Sequence, residues 1–163
     1  MPFAYYDRLN RAQQAVYRQS DEVTAVRLPE AAALRPLVDD LASALASEDR
    51  LKTQAAAQQL LSGLVFYLDA PAVRVEVLAA RPARRWGELH GLYTEAERGR
   101  PAHITLWMRT ARQKRVVAFR TFLRTLLHEL GHHLDYTLLK LADSFHTEGF
   151  YKRESRLFHQ LTG

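Results

Sequence analysis

The segment His128-Glu-Leu-Gly-His132 has the H-E-x-x-H spacing of a zinc site. Residues four apart lie one turn apart on the same face of an α-helix, so His128 and His132 can present imidazole nitrogens to one Zn²⁺. Glu129 would then accept a proton from a water that the metal activates, and deliver it to a leaving amine. Chance produces about 0.02 such matches in a chain with this many His and Glu residues. The segment therefore predicts zinc-assisted hydrolysis of an amide bond.

A catalytic zinc ion takes three protein ligands, so a third must come from another part of the chain. The chain contains no Cys, which excludes a thiolate ligand and leaves His, Asp and Glu. Three candidates follow His132 at distances of fourteen, sixteen and twenty-two residues: His146, Glu148 and Glu154. His146 and Glu154 are about 12 Å apart along a helix, so they cannot both bind one ion.

Several other polar residues near the segment have two interpretations each. His133 points about 100° away from His132, which favours a polar surface residue or one that supports a ligand. Asp135 could accept a hydrogen bond from a ligand imidazole, or be a solvated carboxylate. Tyr136 and Tyr151 could donate to the oxyanion of a tetrahedral intermediate, although tyrosines at the edge of a core are more common. Three further histidines lack a partner at ligand spacing and are predicted to lie at the surface: His90, His103 and His159.

The element that must carry the histidines is a long amphipathic helix. An apolar stripe with helical spacing runs from residue 116 to about residue 141. Gly131, inside this stripe, costs about 1 kcal/mol relative to Ala, which suggests that a strand or loop packs closely against the helix there. Asp143 and Ser144 predict a turn and a helix cap, and residues 147–161 predict a last helix.

The rest of the chain divides into a helical part and a part with strands. Helices are predicted over residues 3–18, 29–46 and 49–62, the second opened by Pro29 and the third ended by Gly63. Alternation with a period of two predicts strands within residues 65–77, from Trp86 to residue 93, and over residues 103–109. We therefore expect an α+β fold with a small, mostly antiparallel sheet.

Length and composition indicate one globular domain over residues 1–163, with a helical part at 1–62 and a catalytic core at 63–163. The chain is 47% hydrophobic and 25% charged, which is ordinary for a globular protein. Its first ten residues lack the features of a signal peptide, and its best apolar stretch, residues 60–68, is too short to cross a bilayer. We expect a cytoplasmic protein with no membrane partner.

The middle of the chain is basic. Residues 81–124 hold eleven Lys and Arg against three Glu, a balance of +8 within a total of +5. Such runs usually form solvated faces, but Trp86 with its neighbouring arginines could also stack a base and contact phosphates.

The chemistry-bearing residues resemble the SprT-like metallopeptidases, which include the bacterial SprT proteins and the eukaryotic Spartan protease. In that family the H-E-x-x-H helix is followed, about fourteen residues later, by an H-x-x-x-F-x-K segment whose His is the third zinc ligand. Here that segment is His146-Thr-Glu-Gly-Phe150-Tyr-Lys152, and Ile104-Thr-Leu106 stands in the place of the family's I-x-L strand. The resemblance covers about residues 65–163.

This resemblance implies a zincin-like fold and a zinc metallopeptidase that acts on proteins or peptides. It implies that His128, His132 and His146 are the zinc ligands and that Glu129 is the general base. Because relatives act on DNA-associated proteins, it also implies a contact with DNA through residues 81–124. The chain departs from the family in having Thr147-Glu148 where Gly-Pro is usual, and in lacking a cysteine-rich zinc ribbon.

Two alternatives stay open. Glu154-Ser-Arg-Leu-Phe158 resembles the E-x-x-x-F helix of ImmA/IrrE-like gluzincins, in which the Glu is the third ligand. We favour His146, because its spacing and Phe150 fit better, with Glu154 supporting a ligand or lying on the helix surface.

For the peptidase we expect an extended substrate to pair with an edge strand near residues 103–109. The alternative function is a nucleic-acid- or protein-binding module that holds zinc without turnover.

Overall fold

The computed structural model describes residues 1–85 and 87–163, so Trp86, with the start of its predicted strand and its proposed base stacking, lies outside the described residues. A 3₁₀ helix, Ala4–Arg8, precedes the α-helices. The further elements, in chain order, are α1 Arg11–Glu22, α2 Ala31–Ala46, α3 Arg50–Tyr67, β1 Val73–Ala80, β2 Ala83–Arg84, β3 Gly87–Glu88, β4 Gly91–Thr94, β5 Ala102–Arg109, α4 Phe119–Thr137 and α5 Glu148–Thr162. Helices thus precede and follow the strands, which confirms the α+β class. Within the described ranges no helix is both long enough and apolar enough to cross a membrane.

Two of the N-terminal helices, α1 and α3, begin at residues whose side chains satisfy free backbone donors. Asn10 and Gln13 form a reciprocal capping box at the start of α1, and Asp49 accepts from the N–H of Lys52 at the start of α3. The predicted helix over residues 3–18 is instead the short 3₁₀ helix followed by α1. These caps account for the start of α1 after the 3₁₀ helix and for the start of α3 after α2.

The prediction that Gly63 ends the third helix is wrong. Helix α3 continues through Gly63 to Tyr67, so Val65, which was expected in a strand, lies in a buried helical turn. A Cβ atom at Gly63 would lie 2.6 Å from Cδ2 of Leu34 in α2. The glycine is therefore explained by the close packing of two helices rather than by a helix end.

The main sheet has the strand order β1-β5-β4 and is mixed, so the expectation of a mostly antiparallel sheet is wrong. Strand β1 runs parallel to β5, with Val75 opposite Ile104, and β4 runs antiparallel to β5. Parallel neighbours need a long crossover, and here the connection includes the antiparallel β2–β3 hairpin and β4. Strand β5 is therefore central, and β4 lies at the edge.

The core lies between the sheet and the long helices. Helix α3 packs on β1, α4 packs on β4, β5 and α5, and α1 packs on α5. The stripe of α4 that faces this core is completely buried at Leu123, Leu127 and Leu130. Each such side chain contributes about 1.5–3 kcal/mol through burial of its apolar surface. This packing fixes the rotation of α4 about its axis and leaves His128 and His132 facing away from the apolar stripe.

Candidate metal centre

Two adjoining elements bring the three histidines to one place. His128 and His132 lie one turn apart in α4. His146 directly precedes Thr147, whose side chain caps α5 by accepting from the N–H of Phe150 at 2.9 Å. The last helix thus begins within one residue of the prediction, but its cap is Thr147 and not Asp143 or Ser144. This cap fixes the position at which His146 leaves the preceding loop.

The Nε2 atoms of the three imidazoles converge. His146 Nε2 lies 3.1 Å from His128 Nε2 and 3.1 Å from His132 Nε2. Nitrogen ligands at 2.0–2.1 Å in a tetrahedral zinc site are about 3.3 Å apart. The predicted proximity of the three histidines is confirmed, and their separations suit a metal ion.

Hydrogen bonds behind the imidazoles leave lone pairs on the converging side. The Nδ1 atom of His128 lies 2.7 Å from a carboxylate oxygen of Glu154, so in the neutral imidazole Nδ1 carries the proton and Nε2 is an acceptor. His132 Nδ1 lies 2.7 Å from Oγ of Ser144, whose hydroxyl donates to Asp135 at 2.7 Å. Both Nε2 atoms thus face His146 as acceptors, and one N–H there could satisfy only one of them. A cation placed between the three Nε2 atoms would be bound by the lone pairs that no N–H satisfies. The three imidazoles therefore fit a metal ion.

Neither glutamate considered as a third ligand belongs to the group of converging side chains found in the described residues. Glu154 supports His128 from behind, where it orients the ring and raises its basicity. Glu148 begins α5 and borders a separate depression together with Phe3. The geometry therefore places His146, and not Glu154, next to the Nε2 atoms of His128 and His132.

A buried network continues behind His132. Asp135 is completely buried and accepts from Ser144 and from Arg153, whose Nη2 lies 2.9 Å away. Asp135 therefore supports His132 indirectly, because the hydroxyl of Ser144 lies between them. Burial, with some contribution from the other two histidines, lowers the pKa of His132 to about 3. The imidazole is therefore neutral at physiological pH, as a metal ligand must be.

His133 is 1% exposed, so the surface interpretation of this residue is wrong. Its Nε2–H donates to the carbonyl of Pro71 at 2.8 Å, and its Nδ1 accepts from the hydroxyl of Tyr93 at 2.8 Å. The ring of Tyr93 stacks on that of His132, with centroids 6.5 Å apart. His133 therefore supports the metal centre indirectly, because it holds the hydroxyl of Tyr93, whose ring packs on His132.

Glu129 faces a cleft of about 400 Å³ beside the histidines, one wall of which is formed by Gly91, Leu92 and Tyr93 of β4. The carboxylate is 7% exposed. Burial raises its pKa to about 7, although the neighbouring His128 opposes this shift. A Cβ atom on Gly91 would lie only 3.0 Å from Oε2 of Glu129. A carboxyl group with such a pKa, beside a cleft, can exchange a proton near neutral pH.

The remaining candidates lie at different distances from the cleft. Tyr136 borders it and donates to Asp143 at 3.3 Å, whereas Tyr151 lies at the outer side of the histidines and is 40% exposed. Gly131 does mark a close approach, but of the Phe150 ring of α5, 3.0 Å from where a Cβ would stand. The other three histidines are exposed or half-buried, as expected: His90, His103 and His159.

Sequence reasoning missed three residues of the site: Tyr93, Ser144 and Arg153. Each acts through a partner that is distant in sequence, forty positions for Tyr93 and His133, and twelve for Ser144 and His132. The sequence predicts only a turn and a helix cap at Ser144, and only a strand at Tyr93. No spacing rule links such pairs, so no local signal could have identified them.

Part of the basic region is neutralised within the molecule. Arg81 pairs with Glu88 at 3.2 Å and is buried, and Arg109 pairs with Glu48 at 2.8 Å.

Comparison of the chain with protein-family models, curated proteins and solved structures gives no match. The resemblance to SprT-like peptidases and the contact with DNA therefore stay predictions, and function has to be argued from the geometry of the metal centre.

Proposed function

We propose that the chain is a zinc-dependent metallopeptidase of the SprT-like, zincin type. His128, His132 and His146 are its ligands, and Glu129 is its general base. The observation that carries the proposal is the convergence of three Nε2 atoms next to a buried carboxylate that borders the same cleft. Three imidazoles with one free position are a ligand set of catalytic zinc.

When bound, zinc would lower the pKa of a water molecule and polarise the carbonyl group of a substrate. The chain itself supplies the proton transfer. Glu129 would accept the proton of the attacking water and later donate it to the amide nitrogen that leaves. Its burial supports this role, because a pKa near 7 suits a group that must both accept and donate a proton at neutral pH.

We expect β4, rather than the predicted residues 103–109, to align the substrate. Those residues form β5, whose backbone already pairs with strands on both sides. Strand β4 is the edge strand that forms a wall of the cleft, whereas β1, at the other edge, does not line it, so the outer N–H and C=O groups of β4 could pair with an extended peptide. Recognition through the main chain predicts a broad sequence preference.

The alternative proposal is a zinc-containing module that binds a protein or nucleic acid without turnover. It requires the three histidines and their supporting hydrogen bonds but gives no role to the position of Glu129 at the cleft. A substitution of this carboxylate therefore separates the two functions.

The test compares zinc-loaded wild type with Glu129→Gln, using an unfolded protein such as casein as substrate, with and without added DNA. Glu148→Gln is the matched control, because Glu148 lies outside the cleft. We expect Glu129→Gln to keep one zinc ion per chain and to lose at least about hundredfold in cleavage rate. Cleavage by Glu129→Gln at the wild-type rate, or zinc binding without cleavage by any of the three proteins, would contradict the peptidase proposal.

A further inference from the structure

The N-terminal segment, residues 1–23, contacts the loop that carries His146. The hydroxyl of Tyr5 donates to the carbonyl of His146 itself at 2.8 Å. Oγ of Ser20 lies 3.0 Å from Oγ1 of Thr147, the residue that caps α5. A carboxylate oxygen of Asp21 accepts from the N–H of Gly149 at 2.9 Å. Three hydrogen bonds thus tie the end of this loop to a segment more than 120 positions away.

Gly149 allows α1 to come this close. A Cβ atom on this glycine would lie 2.5 Å from the carbonyl oxygen of Ser20 and 2.7 Å from that of Asp21. Both are backbone atoms, so they could not turn aside as the end of a side chain could. The absence of a side chain at Gly149 is therefore what lets the start of α5 lie against the end of α1.

The same segment also connects to the second histidine of α4. Arg153 donates to the carbonyl oxygens of Ser20 and Val23, each at 2.6 Å, at the C-terminal end of α1. Its other terminal nitrogen binds Asp135, which accepts from the hydroxyl that supports His132. A continuous chain of hydrogen bonds thus runs from the end of α1 to a ring nitrogen of a predicted ligand.

The loop that bears His146 needs such contacts, because the stretch between α4 and α5 has no helix or strand of its own. Fixing one residue of free chain costs about 1–2 kcal/mol. If the loop is ordered before the metal arrives, this cost does not weaken metal binding. The contacts that Tyr5, Ser20 and Asp21 provide join only protein groups, so they can order the loop independently of the metal.

We propose that residues 1–23 are a positioning element of the metal centre, which holds His146 where its Nε2 meets those of His128 and His132. This inference rests on the metal-binding part of the proposed function and on none of its catalytic part. The resemblance to SprT-like peptidases begins only near residue 65, so this role of the N-terminal segment does not follow from it.

The test measures zinc affinity of full-length variants by competition with a chelator. Tyr5→Phe removes the hydroxyl but keeps the ring, which packs on Tyr17. Tyr6→Phe is the matched control, because Tyr6 packs on the same ring but its hydroxyl accepts from Arg18, within the N-terminal segment. Asp21→Ala removes the acceptor for Gly149, whereas Asp21→Asn keeps an oxygen that can accept.

We expect the zinc dissociation constant to rise about fivefold in Tyr5→Phe, as for the loss of one hydrogen bond, with a similar rise in Asp21→Ala. Tyr6→Phe and Asp21→Asn should stay near the wild-type value. With Co²⁺ in place of zinc, the visible absorption should change in the two weakened variants, because its intensity follows coordination geometry. Urea unfolding of the metal-free proteins shows whether the fold is retained.

Equal zinc affinity and equal Co²⁺ spectra for Tyr5→Phe, Asp21→Ala and the two controls would overturn the inference, whatever their stability in urea. A wild-type chain that binds no zinc would overturn both the inference and the proposed function. A chain that binds zinc, shows the expected ranking of variants and cleaves no substrate would refute the peptidase alone.

Discussion

Glu154 provides the sharpest prediction about the metal centre. Its carboxylate accepts from Nδ1 of His128 at 2.7 Å, and its side chain is 12% exposed. Substitution of Glu154 by Ala removes this acceptor and leaves the ring of His128 free to rotate or to change its tautomer. We therefore expect Glu154→Ala to weaken zinc binding without removing a ligand.

The magnitude follows from the kind of contact that is lost. Removal of an acceptor behind a metal-binding histidine typically costs 10–100-fold in affinity, which corresponds to about 1.4–2.8 kcal/mol. Glu154→Gln keeps an oxygen that can accept but loses the charge, so its loss should be about threefold to tenfold, since a hydrogen bond to a charged group contributes about twice a neutral one. Arg124 lies 3.7 Å from Glu154 and is partly exposed, so the effect of its lost ion pair on stability should be small.

Competition with a chelator gives the affinities, and X-ray absorption of the zinc-loaded proteins counts the nitrogen ligands. Glu148→Ala, in the first turn of the same helix, should bind zinc as wild type does. We expect three imidazole ligands in both wild type and Glu154→Ala. The reasoning is refuted if Glu154→Ala loses a ligand from the spectrum, or if it binds zinc as tightly as Glu148→Ala.

Three further predictions follow from the site and the network behind it. Gly91→Ala places a Cβ 2.8 Å from Cγ2 of Thr125 and 3.0 Å from Oε2 of Glu129, which would displace the carboxylate or β4. Cleavage should therefore fall about tenfold or more while zinc affinity, measured by chelator competition, stays unchanged; unaltered cleavage would show that β4 need not lie so close. Arg153→Leu leaves Asp135 buried without its cation and should lower the free energy of unfolding in urea by about 3–5 kcal/mol, and a loss below about 1 kcal/mol would contradict this. Burial raises the pKa of Tyr93 from 10.0 to about 12, so the stability that its neutral hydroxyl contributes is complete below pH 10 and lost between pH 10 and 12. Urea midpoints should fall across that range, and less steeply in Tyr93→Phe.

The parts of the site that sequence could predict are those set by local spacing. The four-residue spacing of His128 and His132 needs only a helix, and the apolar stripe of α4 ensures that the helix turns both histidines away from the core. His146 was expected from its distance to His132 and from the resemblance, and the cap at Thr147 gives that distance a physical basis. What the spacing could not provide is the role of Glu154, which depends on how α5 packs on α4.

The errors in the predicted fold come from packing partners that are distant in sequence. Gly63 has the signature of a helix end, but Leu34 fills the space where its side chain would be. The alternation of apolar and polar residues over 103–109 is equally compatible with an edge strand and a central strand. Only the parallel pairing of β1 with β5 makes this strand central. The spacing of His133 is compatible with a surface residue and with one that supports a ligand, and its burial depends on its contact with Tyr93 of β4.

The most direct test of the account is an anomalous difference map at the zinc absorption edge, from a crystal of the zinc-loaded protein. The three-histidine centre is the claim from which both the peptidase and the role of the N-terminal segment follow. We expect a single strong peak about 2.0–2.1 Å from the Nε2 atoms of His128, His132 and His146, with Glu154 bound to Nδ1 of His128. A map with no peak there, or with a peak bound by the carboxylate of Glu154 in place of His146, would contradict it.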